Sequence, residues 1–325
     1  MDELKLKVTA ITDLAPNIKM FEFAAVDGAT LPPFEAGAHL DFILGDHLRR
    51  NYSLANDPAE KGRYVTAVLK EKASTGGSIF MHEKVKVGDE LAANGPINNF
   101  PLAPDAKRHI LIAGGIGITP ILAMCHRLDA VGADFHLHYC TKSPEETAFL
   151  KEIRDAFFGR VTFHHDGGDI SKGINLKETL ANPADGDHLY ICGPSGMITA
   201  AREAASHWPQ GTVHFELFSS TVTAEERAAH IEEVGGDFEF EIELAQRGVT
   251  LTVPADRSIL DVLWDNGVEV IYACEDGYCG SCTTGLISGK VDHRDEVLNE
   301  NERETKIQVC VSRAAPGEKK LVLDL

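Results

Sequence analysis

Basic residues are scarce in this chain: 31 Lys and Arg stand against 50 Asp and Glu, for a formal net charge of -19. Nucleic acid and anionic membrane both attract basic surfaces, so the shortage argues against either and favours a partner with a basic docking patch. Long hydrophobic runs are missing too. The most apolar stretch, Ile110 to Met124, is broken by Gly114, Gly115, Gly117 and Pro120, and falls short of the roughly 20 residues that span a bilayer. The N-terminus, Met1-Asp2-Glu3-Leu4-Lys5-Leu6-Lys7, alternates charge with apolar residues and lacks the continuous apolar core of an export signal. There is no low-complexity tract and no internal repeat. Cysteine is present, but seven is an odd number and four of the seven show metal-ligand spacing, so a reducing cytoplasm is expected rather than a disulfide framework.

What the chain does have is length enough, at 325 residues, for two or three domains, each with its own core. Up to about Pro101 the pattern is short alternating runs between turn residues, which predicts a small antiparallel barrel over 1–102. From about Lys107 to Phe218, β-rich runs alternate with helical stretches: His109 to Ala113, Phe135 to Thr141, Val161 to His165, His188 to Cys192 and Thr212 to Phe218. That rhythm predicts a parallel sheet covered by helices over 103–224. A polar stretch with the pair Gly235-Gly236 reads as a linker over 225–236. The last segment, 237–325, opens with a hairpin, Phe238 to Leu244 and Val249 to Val253, then a short helix capped by Ser258. Counted from Gly236, it holds 9 Lys and Arg against 18 Asp and Glu, about half of the chain's net negative charge.

The sharpest signal is Cys274-Glu-Asp-Gly-Tyr-Cys279-Gly-Ser-Cys282 followed by Cys310, a C-x4-C-x2-C pattern with a distant fourth cysteine. This is the plant-type [2Fe-2S] spacing, in which four thiolates hold two irons and small residues such as Gly277, Gly280 and Ser281 let backbone N–H groups face sulfur. A zinc site is the competing reading, but zinc usually takes paired C-x2-C knuckles, which are missing here. Cys125 and Cys140 read as core thiols.

Two further motifs are weaker. Arg50-Asn51-Tyr52-Ser53 falls on a barrel strand, where alternation puts Arg50 and Tyr52 on one face, suited to a phosphate and to ring packing, with the Ser53 hydroxyl beside them. Ordinary surface and core would account for the same residues. Downstream, Ser74-Thr75-Gly76-Gly77-Ser78 precedes a helical run and could cradle an anion, or be a plain loop. In the second segment Gly114-Gly115-Ile116-Gly117-Ile118-Thr119-Pro120 follows a strand, with Thr119 as the expected N-cap and Pro120 in the first turn. A second turn, Cys192, Gly193, Pro194, Ser195, Gly196, follows another strand. Ligands of open α/β sheets bind at the carboxyl ends of strands, so both turns could border one nucleotide crevice with Cys192 near a nicotinamide, or pack strand tightly on helix.

Taken in order, these motifs resemble the phthalate dioxygenase reductase family, reductases of Rieske oxygenases; the match runs nearly end to end and includes Pro32 to Gly37, His214-Phe215-Glu216, His293-Arg294-Asp295 and the terminal Leu321 to Leu325. The resemblance implies a multidomain fold, with an antiparallel β-barrel flavin domain, an α/β parallel-sheet nucleotide domain and an α+β β-grasp ferredoxin domain. It implies FMN, a [2Fe-2S] cluster on Cys274, Cys279, Cys282 and Cys310, and NADH as donor. By the same resemblance Arg50, Asn51, Tyr52 and Ser53 hold flavin with Gly76, Gly77 and Ser78 at its phosphate, while Gly114, Gly115, Gly117, Thr119, Pro120, Gly193 and Pro194 bind NADH. Ser53, Cys192 and Phe218 then lie at the reacting rings. The adenosine end falls at Thr141 and Lys142. Lys142-Ser143 could pair a 2'-phosphate, and no carboxylate there clearly selects a 2'-hydroxyl, so NADPH stays open. The implied function is electron transfer from NADH to a Rieske terminal oxygenase of phthalate type, by a monomer. Vanillate demethylase-type and quaternary-amine monooxygenases, a cytochrome or a ferredoxin are alternative acceptors, and a C-terminal module with an unfilled site is the non-enzymatic alternative.

Overall fold

Alternating apolar residues in the first hundred positions become six antiparallel strands: β1 (Leu4–Ala15), β2 (Ile18–Ala25), β3 (His39–Gly45), β4 (Leu48–Ser53), β5 (Tyr64–Leu69) and, after helix α1 (Gly77–Glu83), β6 (Glu90–Ile97). Their order is β4-β3-β6-β1-β2-β5. The two edge strands meet where Ala55 N donates to Val65 O at 2.8 Å and Thr66 Oγ1 to Ser53 O at 2.9 Å, which closes the sheet into a barrel. Inward residues of neighbouring strands, among them Leu6, Val8, Phe21, Phe23, Leu40 and Phe42, are fully buried. This computed structural model describes residues 3–45, 48–71, 76–220 and 222–325. Ser74 and Thr75 of the glycine-serine turn, and Thr221 of the polar stretch, lie outside the described residues.

The alternating region forms a five-stranded parallel sheet: β7 (Arg108–Gly114), α2 (Ile118–Ala130), β8 (Asp134–Thr141), α3 (Leu150–Ala156), β9 (Val161–His165), α4 (Leu176–Thr179), β10 (Asp187–Gly193), α5 (Ser195–Ala204) and β11 (Val213–Leu217). The order β11-β10-β7-β8-β9 places β7 and β10 in the interior, and six successive residues of β10, Asp187 to Cys192, are buried, as a strand covered on both faces requires. The barrel and the parallel sheet pack together as one compact unit, Met1–Phe218, and share a continuous hydrophobic cluster. Tyr190 is one of the joints: its ring lies 5.9 Å from that of Phe100, and its hydroxyl accepts from Ala103 N at 2.7 Å.

The second unit is Ser219–Leu325. The polar stretch read as a linker carries helix α6 (Ala224–Glu233), started by a capping box in which Thr223 Oγ1 accepts from Glu226 N and the Glu226 carboxylate accepts from Thr223 N. After it come β12 (Phe240–Leu244), β13 (Val249–Val253), α7 (Ile259–Asp265), β14 (Thr283–Ser288), β15 (Val291–Asp292), α8 (Glu300–Arg303), β16 (Lys306–Gln308), β17 (Arg313–Ala314) and β18 (Lys320–Leu323). Ser258 caps α7 as expected, again in a capping box. The sheet order β13-β12-β18-β14-β16, with β12 and β18 parallel and α7 packed through Ile259, Leu260, Val262 and Leu263, is the β-grasp. Among the described residues no helix is long and apolar enough to cross a membrane.

Candidate functional site

At one edge of the first unit the ends of β4 and β11 converge. Ser53, the last residue of β4, donates from Oγ to Glu216 Oε2 at 3.4 Å, and Glu216 stands beside Cys192 in the β10–β11 ladder. Cys192 is fully buried, and burial together with the neighbouring Glu216 charge pushes its thiol well above the ordinary cysteine range. Cys192 therefore stays protonated, which removes it as a thiolate nucleophile. Glu216 retains some solvent contact, but the protein packed around it desolvates the carboxyl and pushes it up to about 8, with the Ser53 hydrogen bond opposing. The result at neutral pH is a weakly polar, uncharged corner, suited to stacking two rings and excluding water rather than to acid-base work. Phe218 was expected to end β11; the strand closes at Leu217, and Phe218 follows it, half-buried against the core.

On β4 the alternation of Arg50 and Tyr52 is as expected, the two standing opposite Phe42 and Leu40 of β3, with Asn51 on the other face opposite Asp41. Tyr52 is raised well above the usual phenol range, by burial first, with Arg50 opposing. The Arg50 side chain lies so tightly along Gly77 that a Cβ there would come within 2.4 Å of Arg50 Cγ. Gly76 takes φ +110, a left-handed value that favours glycine, and forms the N-cap of α1 without a side-chain cap. The pair therefore lets a guanidinium approach backbone N–H groups of the first turn, a donor set that fits a phosphate. Ser78 Oγ accepts from Glu71 N at 3.2 Å.

The two glycine turns of the parallel sheet interlock. A Cβ on Gly117 would lie 2.2 Å from Cys192 O, one on Gly193 2.9 Å from Gly114 Cα, and one on Gly114 2.7 Å from Pro194 Cδ. These glycines, with Pro194, let the two turns pack directly against each other. Gly115, at φ +53, differs: a Cβ on it would meet nothing within 4 Å, while its carbonyl accepts from Tyr139 Oη at 3.1 Å. Thr119 corrects an expectation. A 3-10 turn over Gly115–Gly117 runs straight into α2, so the N-cap is Gly117 and Thr119 lies inside the first turn, buried, donating from Oγ1 to Ile116 O at 3.1 Å. Pro120 sits beside it in that turn.

At the end of β8 the Thr141 hydroxyl lies 2.7 Å from Thr147 Oγ1 and 3.0 Å from His165 Nδ1. An aspartate lies beside this end, its Oδ1 accepting from Gly168 N at 2.7 Å. Asp166 follows β9, and Asp166 N donates to Thr141 O at 3.2 Å while Gly167 N donates to Lys142 O at 2.9 Å. Sequence spacing does not reveal this neighbour, because Asp166 is 24 residues from Lys142 and is brought alongside only by the β8–β9 pairing. Glu216 was missed as a site residue for the same reason, its signal being the register with Cys192.

In the second unit the four cysteine sulfurs converge. Cys274 interacts with Cys279 and Cys310, and Cys310 with Cys282. Donation from Cys279 and Cys310, with the N–H groups of Asp276 and Tyr278, holds Cys274 low against the opposing effect of burial. Asp276 N lies 3.3 Å from Cys274 Sγ. Gln308, fully buried, accepts from Cys282 Sγ at 2.9 Å and donates to Thr283 Oγ1 at 2.5 Å. Among the described residues no three His, Cys, Asp or Glu side chains close on a single ion. Four convergent thiols in the C-x4-C-x2-C spacing with a distant fourth cysteine fit a binuclear cluster better than a zinc site.

The chain matches the family model of the 2Fe-2S iron-sulfur cluster binding domain over residues 242–315. Over 96–210 it matches that of the N-terminal domain of dimethylamine monooxygenase subunit DmmA-like proteins. It is 44% identical to the phthalate dioxygenase reductase of Burkholderia cepacia across 99% of this chain and 97% of that protein. It is 43% identical, across 99% and 96%, to the tert-butanol monooxygenase / tert-amyl alcohol desaturase reductase subunit of Aquincola tertiaricarbonis. A solved phthalate dioxygenase reductase, described as a modular structure for electron transfer from pyridine nucleotides to [2Fe-2S], superposes with a TM-score of 0.74 at 44% identity, covering 99% of this chain and 98% of that one.

Proposed function

The chain belongs to the phthalate dioxygenase reductase family, and on that premise we propose that it is the NADH-oxidising component that feeds electrons to a Rieske terminal oxygenase of phthalate type. Its cofactors are FMN and a [2Fe-2S] cluster. When bound, the flavin would supply two-electron chemistry toward the hydride donor and the cluster a one-electron exit. The residues of the chain provide the setting. Arg50 and the Gly76-Gly77 turn hold the flavin phosphate, while Ser53, fixed by Glu216, faces the flavin at the barrel edge. Cys192, kept as a neutral thiol, packs where the nicotinamide enters and leaves no competing nucleophile there. The space beside Gly115 receives the pyrophosphate, and Asp166, which follows β9 beside the end of β8, selects the ribose 2'-hydroxyl of NADH over the 2'-phosphate of NADPH.

The observation that carries this reading is the convergence of four cysteine sulfurs in a unit that follows a flavin barrel and nucleotide sheet on one chain, because a two-electron donor then has a one-electron exit. The match to a dimethylamine monooxygenase subunit over 96–210 favours an amine monooxygenase as the second acceptor. The test is NADH-driven turnover by the purified chain with a phthalate-type Rieske oxygenase and with an amine monooxygenase, scored by product formed per NADH oxidised. Coupled phthalate hydroxylation supports the first reading; coupling only with the amine enzyme replaces it. If anaerobic dithionite-reduced protein gave no spin signal of a binuclear iron centre, both would fall.

A further inference from the structure

The segment after Phe218 is latched to the loop that carries three of the four cluster ligands. In α6, Arg227 Nη1 pairs with Asp276 Oδ1 at 2.8 Å and Nη2 donates to Ser220 Oγ at 3.0 Å. Ser220 Oγ donates in turn to Glu296 Oε1 at 2.5 Å, and Glu296 N donates to Gly277 O at 3.1 Å. Asp276 and Gly277 lie between Cys274 and Cys279, and it is the Asp276 N–H that faces Cys274 Sγ at 3.3 Å. A second clasp fixes the other end of the helix, with His230 Nε2 at 2.8 Å from Asp292 Oδ1 and Arg294 bridging Asp292 and Asp237.

The helix has no buried residue, so these polar contacts, rather than an apolar face, set where it lies. Half-exposed ion pairs contribute little to stability. Their influence on a neighbouring redox centre is another matter. Reduction adds negative charge, so an N–H aimed at a ligand sulfur and a cation beside the ligand loop both favour the reduced state and raise the potential. A carboxylate in that loop without its counter-charge acts the other way.

We propose that Arg227 is a positioning residue for the [2Fe-2S] cluster, acting through Asp276 to hold the ligand loop and raise the cluster's reduction potential. The inference rests on the cluster assignment and adds to it a tuning role for a helix outside the ligand motif.

The experiment is a potentiometric titration of the full-length holoprotein, read by the reduced cluster's spin signal, on wild type, R227Q, D276N and the double variant. R227Q is expected to shift the one-electron equilibrium against reduction about threefold, which is about 30 mV at 59 mV per tenfold. In the D276N background the same arginine replacement is expected to have less than half that effect, because the group through which it acts is gone. An unchanged potential in R227Q, or an equal shift with and without Asp276, would overturn the proposal. Loss of iron confined to R227Q would overturn it as well, by making the arginine a requirement for assembly instead of a tuning group. Iron and acid-labile sulfide missing from the wild type would sink the cluster assignment itself, so the two failures are distinguishable.

Discussion

Glu216→Gln separates a desolvated neutral acid from an ordinary surface carboxylate. The Glu216 carboxyl is pushed up to about 8 from an ordinary 4.5, by burial first, with Ser53 opposing. Between those two values the folded chain keeps a proton that the unfolded chain has released, so the unfolded state binds fewer protons and stability falls as pH rises. The penalty is absent below pH 4.5 and complete above pH 8. The gap from 4.5 to about 8, at about 1.4 kcal/mol per unit, sets an upper bound of about 5 kcal/mol. Partial solvent contact of the side chain brings the expected figure down to about 2–4 kcal/mol. Glutamine keeps an oxygen to accept from Ser53 and cannot ionise, so it removes the penalty and leaves the contact. The assay is calorimetric unfolding of the holoproteins from pH 5 to pH 9, following the transition that releases flavin. At about 2–4 °C per kcal/mol for a unit of this size, the variant's Tm advantage should grow by about 5–15 °C across the range. Parallel curves for the two proteins would refute the assignment of Glu216 as a neutral acid.

Arg50→Ala should weaken FMN binding to the apoprotein about 10- to 100-fold, the worth of a charge-assisted phosphate contact, and fluorescence titration with FMN checks it. Asp166→Ser should cut the NADH over NADPH ratio of kcat/KM by about tenfold or more, and an unchanged ratio would remove Asp166 from the nucleotide site. Gly117→Ala puts a Cβ 2.2 Å from Cys192 O and should cost about 3 kcal/mol in urea unfolding. Gly115→Ala meets only its φ of +53 and should cost about 1 kcal/mol, so equal costs would contradict the interlocked turns. Electron transfer to the partner should slow as ionic strength rises to physiological, because the last segment carries 18 acidic against 9 basic residues; constant turnover would remove electrostatic steering.

The parts legible in the sequence are those whose chemistry lies within one short stretch. The cysteine spacing from Cys274 to Cys282 names its cluster because one loop must wrap it. The strand runs of the parallel sheet are likewise readable, since burial on both faces demands continuous apolar residues. Thr119 shows the limit of a local rule: a threonine before a proline has the composition of an N-cap, but the preceding 3-10 turn had already begun the helix. The polar stretch after Phe218 was similarly opaque, because a helix with no buried residue carries no apolar stripe to reveal it.

The cysteine spacing by itself therefore determined the iron-sulfur cluster, because one short stretch presents three of its four thiols, while the flavin and nucleotide motifs pointed to their cofactors only taken together, through the family they resemble. Only the tertiary structure decided the pairings across the chain: Ser53 with Glu216, Glu216 with Cys192, Asp166 with the end of β8, and Arg227 with the ligand loop. Strand register and the packing of one turn on another set those distances, and neither is written in the spacing of residues along the chain.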